Sequence, residues 1–167
     1  DGLGWSAMRR PTINTLNGVW GSSASNVFAV DSWGTILHYD GTSWAAMSSD
    51  TPAILYGVWC SSGSDAFAVG LGGMILHYDG LGWSAMSSGP TPWIHGAWGS
   101  SGSNVFAVGA SGTILHSDGD SWSAMSSGTI DDLMGVWGSS GSDVFAVGGG
   151  GAIVHYDGLS WSAMSSG

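Results

Sequence analysis

The 167-residue chain contains no lysine, glutamate or glutamine, and it has only two arginines, four prolines and one cysteine. Its twelve aspartates give a formal net charge of −10. Binding to nucleic acids or to anionic membranes requires clusters of cationic side chains, and this chain has only Arg9 and Arg10. The composition therefore argues against both as partners. No apolar run is long enough to span a bilayer, so we expect no membrane insertion.

The single cysteine, Cys60, excludes an intrachain disulfide and a cysteine metal centre. The chain lacks an initiator methionine and a signal peptide and begins in mid-repeat, so we expect a processed product or an excerpt of a longer protein. Hydrophobic residues make up 43% of the chain and eleven are tryptophan, which favours a packed fold over disorder. The acidic, lysine-free, Ser/Gly/Trp-rich composition favours an exported bacterial protein, located outside the cell or on its surface.

One unit of sequence recurs with a period of 39 residues. A fixed period of this length predicts a repeat architecture. The residues that keep it are Trp5, Trp44, Trp83, Trp122 and Trp161; Met8, Met47, Met86, Met125 and Met164; Trp20, Trp59, Trp98 and Trp137; and His38, His77, His116 and His155. Residues present in every unit are expected to build the unit, with Trp20, Trp59, Trp98 and Trp137 all buried between neighbouring units.

The last unit consists of four short runs typical of β-strands, which we label A to D. They are Leu133–Gly138, Asp143–Val147, Ala152–Tyr156 and Trp161–Met164, separated by Gly, Ser and Asp turn residues. The connections are about four residues long, so neighbouring strands should form antiparallel hairpins. A tandem array of such sheets predicts a β-propeller, and a β-solenoid is the competing fold.

The repeats resemble those of bacterial Asp-box (BNR-type) propellers, and in particular photosystem II assembly factor-like repeats. The matching segments are Val105–Gly109, Gly112–Gly119 and Ser121–Trp122. The resemblance covers every unit and implies an all-β propeller of four-stranded antiparallel blades. The chain departs from the Asp-box pattern in having the shorter turn Asp-Gly-x-x-Trp, and it lacks the arginine triad and glutamate of a sialidase.

We expect one propeller domain or propeller segment across residues 1–167. Its blades lie at about 17–47, 56–86, 95–125 and 134–164, preceded by an extra strand D at 1–8. Residues 1–8 repeat residues 79–86 letter for letter, so they should pair with a strand C. Three interpretations remain open: a four-bladed ring with one end displaced, a segment of a larger ring, or an association of copies.

The recurring histidines invite a metal hypothesis, but one copy per blade on strand C places them too far apart to share an ion. We therefore expect each to form a hydrogen bond within or between blades, and we expect no metal and no cofactor. The Asp-Gly pairs at Asp40, Asp79, Asp118 and Asp157 are typical of capped turns, with calcium as the weaker alternative. No nucleophile–base–acid arrangement or phosphate loop is present in the sequence, which argues against an enzyme.

The units differ in two places, the D–A connections and the B–C turns. In an antiparallel blade both lie at one end of the sheet, so the variable segments should decorate one face of the disc. Loops on a rigid scaffold commonly carry binding sites, and neutral drift is the alternative explanation. The candidate ligand-binding residues are Trp33 and Trp93 in these loops and Asn17, Tyr56, His95 and Met134 at the rim of the central channel.

These features favour a non-enzymatic propeller that binds a carbohydrate or a protein through its variable face. The alternative is an assembly module that forms a homo-oligomer by strand exchange at the blade edge. An Asp-box hydrolase is the third interpretation, and the missing glutamate and arginine set opposes it.

Overall fold

A computed structural model describes residues 11–164, which form four antiparallel sheets of four strands each. The strands are β1 Leu16–Ser23, β2 Asn26–Asp31, β3 Ile36–Tyr39 and β4 Trp44–Met47; β5 Leu55–Ser62, β6 Asp65–Gly70, β7 Ile75–Tyr78 and β8 Trp83–Met86; β9 Ile94–Ser101, β10 Asn104–Gly109, β11 Ile114–Ser117 and β12 Trp122–Met125; and β13 Leu133–Ser140, β14 Asp143–Gly148, β15 Ile153–Tyr156 and β16 Trp161–Ala163. The helical content of these residues is three single 3-10 turns, at Leu71–Gly73, Ala110–Gly112 and Gly149–Gly151.

Each sheet follows the order of the sequence, β1-β2-β3-β4 and so on, and we call the four sheets blades 1 to 4. The predicted all-β propeller of four-stranded antiparallel blades is confirmed. The predicted extra strand at residues 1–8 lies outside the described residues, as do Arg9 and Arg10.

The inner strands of adjacent blades approach so closely that glycine is required where they cross. A Cβ atom on Gly18 would lie 2.8 Å from the Tyr56 carbonyl oxygen, and one on Gly57 would lie 3.0 Å from the His95 carbonyl oxygen. Real Cβ contacts are longer than the first distance and rarely as short as the second. The recurring glycine in strand A is therefore what lets successive blades pack around a common centre.

Each blade has two rows of side chains, because residues paired across antiparallel strands lie on one face of a sheet. In blade 2 the forward row is Trp59, Phe67 and His77, and the backward row is Cys60, Ala66, Tyr78 and Trp83. The equivalent forward rows are Trp20, Phe28 and His38 in blade 1; Trp98, Phe106 and His116 in blade 3; and Trp137, Phe145 and His155 in blade 4.

The forward row of one blade packs against the backward row of the next. The Trp59 ring lies 2.8 Å from where a Cβ on Gly99 would stand, and the Trp98 ring lies 2.6 Å from the same point on Gly138. Any larger side chain would meet the indole. In blade 2 the position is held by Cys60, which is buried, and Trp20 packs against the cluster that contains it. Burial raises the pKa of the Cys60 thiol, in keeping with a packing residue.

A second contact repeats at every blade junction, an edge-to-face pair between phenylalanine and tryptophan. The ring centroids are 5.9 Å apart in all three pairs and the planes cross at 80° to 87°. This arrangement is favourable for aromatic quadrupoles and adds to the area that the rings bury. The pairs are Phe28–Trp83, Phe67–Trp122 and Phe106–Trp161.

The two outer blades each leave one row uncovered. Trp59 and Trp98 are 3% and 7% exposed, but Trp137 is 57% exposed. The prediction that all four of these tryptophans are buried between blades holds for Trp59 and Trp98, while Trp20 is only partly buried. It is wrong for Trp137, because no following blade covers the forward row of blade 4 within residues 11–164. At the other end, Val19 is 65% exposed where its equivalent Val58 is buried. The described residues thus form an arc of four blades with two apolar ends.

Replacing Trp59 with alanine should lower the free energy of unfolding by about 3–5 kcal/mol, because a buried aromatic side chain is lost and a cavity remains. The matched control is Trp33→Ala, since Trp33 is 70% exposed and surface substitutions usually change stability by about 0.5 kcal/mol or less. Urea unfolding monitored by circular dichroism measures both variants. Equal losses in the two would contradict the interlocked blade packing.

Candidate binding face

The D–A connections and B–C turns meet on one face of the arc, as the alternation of strand direction predicts. The Ile54 carbonyl, at the end of a D–A connection, accepts a hydrogen bond from Leu71 N at 2.9 Å, and the Trp93 carbonyl accepts one from Ala110 N at 2.9 Å. The start of the same connections bonds the preceding turn, where Ser88 Oγ donates to the Gly73 carbonyl at 2.7 Å. Each connection therefore ties two successive B–C turns together, and we call this surface the loop face.

Four of the candidate residues follow one another around the inner edge of the loop face. Asn17 Nδ2 donates to the Leu55 carbonyl at 2.8 Å, and the Tyr56 and His95 rings lie 5.5 Å apart. A Cβ on Gly96 would lie 3.5 Å from the Met134 carbonyl oxygen, so strand A of blade 4 continues the same series. Asn17, Tyr56, His95 and Met134 form a rim of polar and apolar side chains contributed by four blades.

The rim residues differ in how they are held. Asn17 and Met134 are exposed, whereas Tyr56 and His95 are partly buried against each other. The Nε2 atom of His95 is buried and has no hydrogen-bond partner within residues 11–164. His95 therefore contributes to the rim through the packing of its ring.

Trp33 is presented by a B–C turn that differs from the other three. In blades 2 to 4 the turn is a 3-10 turn preceded by Gly70, Gly109 or Gly148. In blade 1 the equivalent residue is Asp31, which is fully buried. Its Oδ1 atom accepts hydrogen bonds from the backbone N–H groups of Trp33 and Thr35, both at 2.8 Å.

The Asp31 carboxylate is also bonded by the D–A segment that precedes blade 1, since Asn14 Nδ2 donates to its Oδ2 atom at 2.8 Å. Burial tends to raise the pKa of Asp31, but the bonds from Asn14, Trp33 and Thr35 outweigh it and lower the pKa below its ordinary value. The ionised carboxylate therefore fixes the turn that carries Trp33.

Trp33 and Trp93 are 70% and 51% exposed, so both indoles are available to a ligand. Each stands on its own loop, and neither ring pairs with another aromatic ring in the part of the chain that the structure describes. The structure therefore brings Tyr56 and His95 into contact and leaves Trp33 and Trp93 as separate aromatic surfaces.

The loop face also carries a groove that the sequence did not single out. It has a volume of about 540 Å³ and lies between Ser111 of the blade 3 turn and the segment Met125–Ile130. A smaller groove of about 190 Å³ shares Gly128 and Thr129 with it and extends to Gly150 in the blade 4 turn. The variable segments predict a binding face in this region, but serine, threonine and glycine give no indication of a groove. Ile130 is exposed here and is not among the candidate ligand-binding residues.

The four recurring histidines do not converge on a metal. Each Nε2 atom lies 2.7–3.1 Å from a side-chain oxygen of the residue that opens strand B in its own blade. The pairs are His38–Asn26, His77–Asp65, His116–Asn104 and His155–Asp143. No group of three or more His, Cys, Asp or Glu residues suited to a metal occurs within residues 11–164. The prediction that each histidine makes a local hydrogen bond is confirmed.

Each histidine ring also packs on the phenylalanine beside it in the forward row, with centroids 4.4–4.7 Å apart. The hydrogen bond and the ring contact together connect strands B and C within a blade. The partner of His116 is an amide, that of Asn104, and burial lowers the pKa of the His116 imidazole. In blade 4 the partner is a carboxylate, that of Asp143. Its pKa is lowered first by the hydrogen bond from Ser139 and second by the hydrogen bond with His155.

The face opposite the loop face carries the C–D turns, in which Asp is followed by Gly. Asp40 Oδ1 accepts hydrogen bonds from the N–H groups of Thr42 and Ser43, both at 2.8 Å, and Gly41 has a φ of 95°. These backbone bonds lower the pKa of the carboxyl in all four turns, at Asp40, Asp79, Asp118 and Asp157. The carboxylates therefore act as turn caps, as predicted, and use one oxygen each to do so.

The comparisons with known proteins give a fold and no sequence family. No family model matches the chain, and no curated protein matches its sequence at a significant level. Two similar solved structures are YCF48 from Cyanidioschyzon merolae and YCF48 bound to a D1 peptide. The first is 18% identical with a TM-score of 0.72, and the match covers 95% of this chain and 59% of that one. The second is 17% identical with a TM-score of 0.61, covering 96% and 72%.

YCF48 is a photosystem II assembly factor with a β-propeller fold, so the resemblance to photosystem II assembly factor-like repeats is confirmed at the level of the fold. The chain spans about three fifths of the length of the first matching structure. Within residues 11–164 no helix has the length and apolarity needed to cross a bilayer.

The predicted extracellular or cell-surface location is wrong. The matching structures are of YCF48, a photosystem assembly protein, one of them bound to a D1 peptide, and they indicate a different compartment. The physical reason for the error is that an acidic, lysine-free composition sets surface charge and solubility, which many compartments share.

A chelator should leave the melting temperature of the protein unchanged, because the histidine nitrogens already have protein partners and a metal that bound only the native state would add to stability. The matched variant is His77→Ala, which removes the hydrogen bond to Asp65 and the ring contact with Phe67 and should cost about 1–3 kcal/mol. Differential scanning calorimetry with and without EDTA measures the melting temperature, and urea unfolding measures the stability of His77→Ala. A large drop in melting temperature with EDTA would overturn the structural role of the histidines.

The capped turns predict a loss of stability in acid. Their carboxyl pKa values lie below the ordinary 3.8 in the folded chain, so the native state favours the ionised form. The stabilisation is fully present above the unfolded pKa and is lost as the pH falls from about 4 through the lower folded pKa values. Changing the four turn aspartates to asparagine keeps an acceptor oxygen that does not titrate. Urea midpoints measured from pH 5 to pH 2 should fall less steeply in this variant, and an unchanged slope would contradict the assignment.

Proposed function

We propose that the chain is a non-enzymatic propeller that binds a protein partner, as an extended or looped segment, across its loop face. The observation that carries this proposal is the set of exposed indoles and rim side chains on that one face. Trp33 stands on a B–C turn whose backbone bonds the Asp31 carboxylate, and Trp93 stands on a D–A connection that accepts a hydrogen bond from Ala110 N in the next turn. Rigid aromatic anchors of this kind supply much of the binding energy in protein interfaces.

The dimensions of the face suit a peptide segment. The rim is made by residues from four successive blades, and the grooves beside Ser111 and Gly150 continue from blade 3 to blade 4. An extended segment covers about 3.3 Å per residue, so it can reach several blades at once. The binding of a D1 peptide by YCF48, whose fold this chain shares, supports a protein ligand over a carbohydrate.

The charge of the chain favours a basic segment. Residues 11–164 contain no lysine or arginine, while Asp50, Asp131 and Asp132 lie exposed in the D–A connections of the loop face. A cationic partner side chain gains from this field, and over the face of Trp33 or Trp93 it also gains a cation–π contact. We therefore propose a partner segment in which arginine or lysine alternates with apolar residues.

The proposal is tested on an array of immobilised 15-residue peptides of basic, acidic and neutral composition, with a D1 peptide included, and on a parallel glycan array. Basic peptides should bind, and raising the salt concentration should weaken the binding because part of the attraction is screened. Binding to glycans without binding to any peptide would overturn the proposal in favour of a carbohydrate ligand.

Trp33→Ala and Trp93→Ala should each weaken binding of the best peptide by about 30-fold, which corresponds to the roughly 2 kcal/mol lost at an interface hot spot. The matched controls are Leu81→Ala and Leu159→Ala, because both leucines are exposed in C–D turns on the opposite face. Isothermal titration calorimetry gives the four affinities. Equal effects of the tryptophan and leucine variants would place the site elsewhere.

A further inference from the structure

The two ends of the arc carry the two halves of one contact. Within residues 11–164 this contact is made three times, always between the forward row of one blade and the backward row of the next. Among these residues nothing covers the forward row of blade 4 or the backward row of blade 1. The rows are Trp137, Phe145 and His155 at one end and Gly21, Val27, Tyr39 and Trp44 at the other.

The backward row of blade 1 has the shape that receives a tryptophan. Gly21 is exposed, whereas its equivalents Cys60, Gly99 and Gly138 are all buried, the two glycines beneath the indole of the preceding blade. The three atoms nearest to where a Cβ on Gly21 would stand belong to Val27, Asn26 and Ser23 of the same blade, whereas at Gly138 the two nearest atoms belong to the Trp98 ring. Gly21 therefore offers the same surface that Gly99 presents to Trp59 and that Gly138 presents to Trp98.

The aromatic partners are unpaired in the same complementary way. Phe28, Phe67 and Phe106 each meet the strand D tryptophan of the next blade edge-to-face. Within residues 11–164 Phe145 has no such tryptophan, and Trp44 has no such phenylalanine. Joining the two ends would complete both sets with the geometry already present at three junctions.

The exposed aliphatic side chains mark the same two surfaces. Val147 in the forward end is 47% exposed, although its equivalents Val69 and Val108 are fully buried. Leu16 and Val19 are exposed at the backward end, and a hollow of about 350 Å³ there runs from Leu16 to Trp44. Exposed apolar surfaces of this kind are sites of association.

We propose that the occupant of each end is a second copy of this chain, so that the forward row of blade 4 in one copy packs on the backward row of blade 1 in the other. A junction between unlike surfaces either closes into a ring or propagates. Because closed propellers have about four to eight blades, two arcs of four blades close as a ring of eight, and three would exceed the range. This surface meets the loop face at Asn17, but the observations that support the junction are other residues, so the inference does not rest on the proposed function.

Two variants of the 167-residue chain test the junction, one at each end. Trp137→Ala removes the indole from the forward end, and Val19→Asp places a charge in the backward end, where the equivalent Val58 is buried. Both residues are exposed in the single arc, so the chain should still fold. Each variant should raise the dissociation constant of the two-copy assembly by about tenfold or more. Trp33→Ala is the matched control, since Trp33 is also exposed, at 70%, but lies on the loop face.

Sedimentation equilibrium and native mass spectrometry measure the assembly. The proposal expects a two-copy species for the unmodified chain and for Trp33→Ala, and a larger monomer fraction at the same concentration for each end variant alone. Mixing the two end variants should restore a one-to-one pair, because the intact forward end of Val19→Asp meets the intact backward end of Trp137→Ala. A monomer at all concentrations, an assembly of more than two copies, or a two-copy species that neither end variant weakens would overturn it.

Discussion

The fold depends on one interlocking contact between blades, in which a tryptophan of strand A lies over the small residue that follows the equivalent tryptophan in the next blade. Trp59 over Gly99 and Trp98 over Gly138 leave no room for a larger side chain. The Phe–Trp edge-to-face pair fixes the same junction further from the centre. Because the contact is made from equivalent residues each time, successive blades take a similar relation to one another, and a propeller follows from repetition.

The interior of each blade is organised to present that contact. The histidine of strand C bonds the first residue of strand B and stacks on the phenylalanine, so the forward row is held from both sides. The Asp-Gly turn caps then close strands C and D on one face. With those parts occupied by structure, the D–A connections and B–C turns are the segments free to differ, and they meet on the other face. The division between scaffold and loop face is therefore a consequence of how a blade is built.

Much of this architecture could be predicted from the sequence, because each feature of the repeat appears in four copies that can be compared with one another. The period predicted the blades, the spacing of His38 to His155 argued against a shared metal, and the variable segments predicted the loop face. The exposure of Trp137 could not be predicted, because it depends on whether a blade follows it in space. The groove beside Ile130 was also missed, since it is formed by backbone shape and small residues. The composition gave a wrong prediction for the cellular location, because surface charge does not determine the compartment of a protein.

The separation of the two kinds of surface has a mechanical consequence. The connections of the loop face bond the turns of two successive blades, as Ser88 does with Gly73 and Trp93 with Ala110. A ligand that lies across several blades therefore contacts a surface whose geometry is set by the junctions beneath it. Any contact that covers the ends of the arc, such as a second copy packed on Trp137, would hold the outer blades in the same relation as the inner ones. If the ends pack as proposed, the rim from Asn17 to Met134 would be held more rigidly, and less conformational freedom would be lost when a ligand binds across it.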